Sequence, residues 1–316
     1  MKKGFSAITK VAAVGAGAVA GISFALFNEV INRKARLSQI LGPILCKESV
    51  FDENKPDERE VWLRKQEFEE YTITNELGLK LKGYLLRADE PSDIYVFGAH
   101  GYRGDGKTEF RFMTKYYHEK GYNVFLVDHQ AAGESEGKYI GFGYHEYRDC
   151  MLWLEHIKEL FGEDIQIILH GVSMGSATVM LMSGDEDLPE NIKFIVADCG
   201  YTSAWEEIEH NFKTMHLPTF PLLNCANVFN KFIAGYDLRD TNTVEAVRKT
   251  TRPMIFVHGS KDDFVPTYMV NKVYEACGAA DKALLIAEGA GHTESYRMDT
   301  EGYETLINSF AEKYIA

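Results

Sequence analysis

Leu169-His170-Gly171-Val172-Ser173-Met174-Gly175-Ser176-Ala177 is the stretch on which the reading of this chain turns. It has the pattern G-x-S-x-G. It lies directly after a short apolar run, IQIIL at 165–169, and directly before small and apolar residues with helical spacing. A serine at the apex of a sharp strand-to-helix turn sits in strained backbone, and its neighbours must be small to avoid collision. Gly171, Gly175, Ser176 and Ala177 meet that demand. Such a turn also aims backbone N–H groups and a helix N-terminus at developing negative charge.

Further short, nearly continuous apolar runs flank this stretch: 94–98 (IYVFG), 124–127 (VFLV), 192–197 (IKFIVA), 254–257 (MIFV) and 283–286 (ALLI). Segments with helical spacing separate them. Buried strands alternating with helices predict an α/β architecture, a mainly parallel central sheet with helices on both faces. Ahead of it, 71–74 (YTIT) and 79–85 (LKLKGYL) alternate apolar and polar residues around a turn at Asn75 to Gly78. This predicts a hairpin with one wet face. A surface helix is expected at about 57–67. In such sheets function gathers at the C-terminal ends of the strands.

A serine nucleophile needs a base and a group to orient that base. The last apolar run ends in Gly289-Ala290-Gly291-His292, a glycine-rich loop from which His292 can lean over the sheet edge towards Ser173. The run at 254–257 ends in His258-Gly259-Ser260-Lys261-Asp262-Asp263-Phe264-Val265-Pro266, which presents two adjacent carboxylates. Spacing alone leaves Asp262 and Asp263 both open as the acid. For the oxyanion, the N–H of Met174 follows the nucleophile, and the loop Ala99-His100-Gly101-Tyr102-Arg103-Gly104 offers the N–H of Tyr102. No G-x-x-x-x-G-K-[ST] is present, so that loop is not read as a nucleotide phosphate site.

These residues resemble the α/β-hydrolase superfamily from about Tyr71 to the C-terminus. The chain order Ser…Asp…His is the one expected there, and the family pattern H-G-x-x-D-x-x-V-P favours Asp262 over Asp263. Asp128 to Gly137 (DHQAAGESEG) resembles the family's D-x-R-G-x-G-x-S-x-G loop, with Gln130, Ala131 and Ala132 as departures. Gly143 to Asp149 resembles the next family segment, in which Glu and Asp brace the structure. Asp198-Cys199-Gly200-Tyr201-Thr202-Ser203 is similar to a narrower branch, the serine aminopeptidase-like and acylglycerol-lipase-like hydrolases of bacteria, often anchored by their N-termini. The resemblance implies a serine hydrolase acting through an acyl-enzyme on Ser173, with His292 as base and Asp262 as its orienting acid. That mechanism needs no metal or organic cofactor; carboxylic esters of small to medium acyl length are the expected substrates, because the segment expected to cover the site is short and apolar, with short peptides as the alternative. A catalytically retired binding module is the remaining class.

Between Tyr201 and Asp240 the sheet pattern stops. Trp205, Phe212, Met215, Leu217, Phe220, Phe229 and Phe232 crowd this segment, which predicts a short helical lid at about 201–240. Its apolar residues are expected either to line an acyl pocket or to pack the lid on the body.

The chain has 316 residues and a net charge of -13, enough for one large domain with a sizeable core. Residues 1–36 hold six Lys or Arg against one acid, Glu29, so the remainder is strongly acidic and nucleic acid is not an expected partner. Five cysteines with wide spacing and no C-x-x-C give neither a disulfide framework nor a zinc site. Val11 to Phe27 carries no charge over 17 residues, at the lower end of what spans a bilayer. An uncleaved membrane anchor, a cleaved signal peptide and a helix lying on the body compete for it. The anchor is favoured because the apolar run continues past the small residues Ala16, Ala18 and Ala20. The expected organisation is an N-terminal segment (1–36), a charged connecting segment (37–70) and the hydrolase domain (71–316).

Overall fold

The structure, a computed structural model, describes residues 2–35, 51, 55 and 57–316, with side chains from residue 17 onward. Much of the expected connecting segment, with Cys46, lies outside the described residues. The expected surface helix is Glu58–Leu63, opened by Asp57, whose carboxylate accepts from Arg59 N–H.

Eight strands form one sheet: β1 (Glu69–Thr74), β2 (Lys80–Leu86), β3 (Ile94–Ala99), β4 (Asn123–Asp128), β5 (Gln166–Val172), β6 (Ile192–Asp198), β7 (Met254–Gly259) and β8 (Lys282–Ala287). Their order is β1-β2-β4-β3-β5-β6-β7-β8. The β1–β2 hairpin and the β2–β4 pair are antiparallel. All pairs from β4 to β8 are parallel.

Alternation explains why the central strands are apolar on both sides. On β4, Phe125 and Val127 join a core with Trp153, Leu154 and Val179, from helices Tyr144–Phe161 and Met174–Ser183. Val124 and Leu126 join the opposite core with Tyr117, Tyr303 and Ile307. A strand sandwiched between two helical layers has no wet face, so polar residues would be stranded at either parity.

The chain winds from β3 to β4 on one side and then returns to lay β5 on the other side of β3. Two successive loops therefore leave the sheet in opposite directions at its C-terminal edge, and a crevice forms between them. The β3–β5 register sets Ala99 opposite Gly171, so the loop after β3 stands beside the one that carries Ser173.

The lid region contains helices Ala204–Thr214 and Thr219–Phe229 and a π-helical turn, Asn230–Ala234. Its apolar residues mostly hold it down: Ile208, Phe212, Leu222 and Leu223 are buried against Phe142, Tyr201, Val265 and Met269. Phe220 and Phe232 stand exposed at 79% and 85%.

Of the three N-terminal readings, the C-terminal end of the stretch fits a helix lying on the body. The uncharged stretch lies within one helix, α1 (Lys2–Ile31), whose C-terminal end is part of the protein body. Ser23, Phe27 and Ile31 are buried, and the rings of Phe24 and Phe27 meet Phe229 of the lid. A backbone bridge then ties Asn32 to Tyr139, with Ile140 N–H donating to Ile31 carbonyl. Among the described residues no helix is long and apolar enough to cross a membrane. Gly17 and Gly21 dilute the apolar run, and part of its apolar face already has a protein partner.

Candidate active site

Ser173 sits between β5 and the helix Met174–Ser183, with φ at +56°, a left-handed conformation that side chains rarely adopt. The glycines around it are demanded by close approach. A Cβ on Gly175 would lie 1.9 Å from Ala99 carbonyl oxygen, and one on Gly171 would lie 2.1 Å from Gly175 carbonyl oxygen. Both obstacles are backbone and cannot swing away. Gly175→Ala is therefore expected to lower stability by at least the ~1–3 kcal/mol typical of overpacking, read as a lower urea midpoint at unchanged m-value, with loss of activity.

The three side chains singled out from the sequence form one hydrogen-bonded row. Ser173 Oγ lies 2.9 Å from His292 Nε2, and His292 Nδ1 lies 2.7 Å from Asp262 Oδ2. Asp262 is buried, and its Oδ1 accepts from the N–H groups of Phe264 and Val265. His258 Nε2 stands 3.4 Å from the same carboxylate. Asp263, the neighbouring candidate, is exposed, and its backbone carbonyl meets His210. With Nδ1–H donated to the carboxylate, Nε2 is the nitrogen left to accept the serine proton.

The electrostatics follow from burial and charge. Burial works to lower the pKa of His292, but the Asp262 carboxylate beside it outweighs burial, and the imidazole lies well above its ordinary 6.5. Burial would raise the pKa of Asp262, yet His292 and His258 hold its carboxyl below the usual range.

Of the two expected oxyanion donors, Met174 directly follows Ser173, and Tyr102 belongs to the loop that approaches it. Met174 is the first residue of its helix, so its N–H has no intrahelical acceptor. The loop of Tyr102 touches Ser173 directly: a Cβ on Gly101 would lie 3.2 Å from Ser173 Cβ. Glu109 Oε2 accepts from Gly101 N–H and holds the loop from behind.

Sequence reasoning missed the polar row beneath the site. Tyr117 hydroxyl meets His170 Nδ1, His170 Nε2 meets Tyr303 hydroxyl, and Tyr303 donates to Asp198 Oδ2. Asp198 carbonyl in turn accepts Ser173 N–H. Burial lowers His170 to about 3 and raises Asp198 to about 7 and Glu207 to about 8. His170 within the opening motif was the one local signal. Cys199 is buried next to His292, and burial pushes its thiol up to about 12, so it is no ready nucleophile. Among the described residues, only Cys199, Asp262 and His292 group closely enough to hold a metal ion, and two of them are already engaged in the row.

A pocket of about 160 Å³ opens beside His292, lined by Val172, Phe112, Met113, Tyr296, Glu109 and Glu294 among others. The space enclosed by α1 and the two lid helices is only about 20 Å³. A cleft of about 790 Å³ elsewhere includes none of the row's residues.

Residues 108–316 match the model of the prolyl oligopeptidase family. The uncharacterized protein YqkD of Bacillus subtilis (strain 168) is 28% identical over 244 residues, 77% of this chain and 78% of that one. Among solved structures, the Pyrococcus furiosus esterase Pf2001 superposes with a TM-score of 0.65 at 22% identity, covering 86% of this chain and 98% of its own. Est1E from Butyrivibrio proteoclasticus, solved with ferulic acid bound, gives 0.62 at 19% identity, covering 78% and 99%. The sheet and its helical layers are thus those of α/β-hydrolases.

Proposed function

The chain belongs to the prolyl oligopeptidase family of α/β-hydrolases, and from that membership we propose that it is a serine hydrolase cleaving carboxylic esters of small to medium acyl groups. The observation that supports the reading is the unbroken row Ser173 Oγ–His292–Asp262. Ser173 Oγ attacks the ester carbonyl carbon while His292 Nε2 takes the hydroxyl proton. The N–H groups of Met174 and Tyr102 hold the oxyanion, and Asp262 stabilises the imidazolium. Collapse of the tetrahedral intermediate breaks the ester C–O bond, and His292 gives its proton to the departing alkoxide. Water, deprotonated by His292, then attacks the acyl-enzyme, and the carboxylic acid leaves as Ser173 recovers its proton.

Available space supports the small-to-medium acyl range. A void of about 20 Å³ under the lid is barely larger than one water requires, and the pocket of about 160 Å³ beside His292 offers room for a short acyl group. In a p-nitrophenyl ester series, turnover is expected to be highest for the short acyl chains and to fall steeply for long ones. The second reading, a peptidase for short peptides, draws on the family match and on Glu109 and Glu294 in that pocket, where carboxylates suit a substrate amine. Aminoacyl anilides assayed beside the esters decide between them: faster anilide turnover would reverse the ranking. Folded protein inert to both panels would point to a binding module.

A further inference from the structure

We propose that the C-terminal end of α1 is a working part of the active site, holding the Tyr102 N–H on the oxyanion through the side chains of Tyr102 and Arg103. The proposal rests on the reading of Ser173 as the nucleophile.

The loop 100–104 has its backbone against Ser173, as the Gly101–Ser173 approach shows, while the two side chains that follow point away to α1. Tyr102 hydroxyl donates to Val30 carbonyl at 2.6 Å. The Arg103 guanidinium reaches four carbonyl oxygens: Glu29 at 2.8 Å and Asn32 at 3.0 Å from one nitrogen, Ala35 at 3.1 Å and Arg33 at 3.2 Å from the other. These carbonyls lie at and just past the end of the helix, where intrahelical N–H donors run out, although Asn32 carbonyl also accepts from Ala35 N–H, and the helix dipole favours a cation there. The planar fork of arginine suits several acceptors at fixed angles, which an ammonium does not.

Arg103 itself holds φ at +60°, a conformation that persists in a non-glycine residue only when its surroundings impose it. The grip on α1 is what imposes it. The helix end is independently fastened: Arg33 donates to the carbonyls of Gly133 and Ser135, Asn32 bridges to Tyr139, and Phe27 and Ile31 are packed under the lid. A rigid support therefore stands behind the donor. Tyr102 N–H is the donor assigned to the oxyanion, whereas Arg103 acts through it and is a positioning residue.

An oxyanion donor interacts with charge that exists only in the transition state, so a displaced donor lowers kcat and leaves KM largely alone. The test uses the full chain. Wild type is first labelled with a fluorophosphonate and assayed on p-nitrophenyl acetate. Absence of labelling at Ser173 would overturn the nucleophile reading and this inference with it. Given labelling, Arg103→Ala is expected to lower kcat by about 10–100-fold, short of the ~10²–10³ for deleting a donor outright, with KM within about twofold. Millimolar guanidinium ion should restore part of the loss, and Arg103→Lys should fall between. Tyr102→Phe, which keeps the N–H and removes only the hydroxyl bond to Val30, should lower kcat several-fold and serves should Arg103→Ala fail to fold. Unchanged kcat in folded variants, or a loss seen wholly in KM, would overturn the proposal.

Discussion

Replacing Ser173 by alanine is expected to lower kcat for p-nitrophenyl acetate by about 10⁵–10⁶-fold, the scale on which loss of a triad serine acts. The substitution removes one oxygen from a site where His292 Nε2 is 2.9 Å away. It leaves Cβ in place, and the fold does not rely on the hydroxyl, because the Ser173 backbone N–H bonds to Asp198 carbonyl in either residue. The urea midpoint should therefore stay close to wild type while fluorophosphonate labelling disappears. Residual rate above background would come from substrate binding and the oxyanion donors alone. Labelling that survives in Ser173→Ala would mean that another nucleophile reacts. Cys199 is a poor replacement, since burial holds its thiol protonated.

Asp262→Asn is expected to cost about 10⁴-fold in kcat, because a neutral amide can no longer hold the imidazole in the tautomer that leaves Nε2 free. The pH profile separates this role from simple disruption. His292 must be neutral to accept the serine proton, so activity falls as pH drops through its pKa. In the wild type that acid limb should lie above the ordinary 6.5, since the Asp262 carboxylate favours the cation and outweighs burial, which opposes it. Without the carboxylate only burial remains as the larger influence, and the limb of the residual activity should move to lower pH. The measurement is kcat/KM across about pH 5 to 9. An unmoved limb in Asp262→Asn would assign the acid elsewhere. Asp263→Asn, which alters an exposed side chain, should stay near wild type in both rate and profile.

The eight strands were legible because each obeys a local rule. Runs such as 124–127 and 254–257 are apolar at every position, which suits a strand covered on both faces, and the hairpin alternates because β1 is a sheet edge. The Gly171–Gly175 turn was legible because backbone collisions leave no other residue type there. The loops of Ser173, Asp262 and His292 were legible as strand ends carrying chemistry. Asp262 and Asp263 could not be separated by spacing, since adjacent residues differ only in which way their side chains leave the loop, and that depends on burial. The α1 dock was one of three readings of the uncharged stretch, and the sequence could not select it for the same kind of reason. Its partners, Arg103, Tyr139 and Phe229, lie far along the chain, and an uncharged helix reads alike whether lipid or a lid covers it.

The one-dimensional pattern determined the layered α/β architecture, the strained serine turn and the three strand-end loops that carry Ser173, Asp262 and His292, because backbone sterics and hydrophobic periodicity act over a few residues. Only the folded chain decided which carboxylate meets the imidazole, how little room remains beneath the lid, and that α1 grips the oxyanion loop. Those outcomes depend on hydrogen bonds and packing between residues far apart in the chain, such as Arg103 with Glu29 and Phe24 with Phe229. Their geometry exists only once the sheet has assembled its edge.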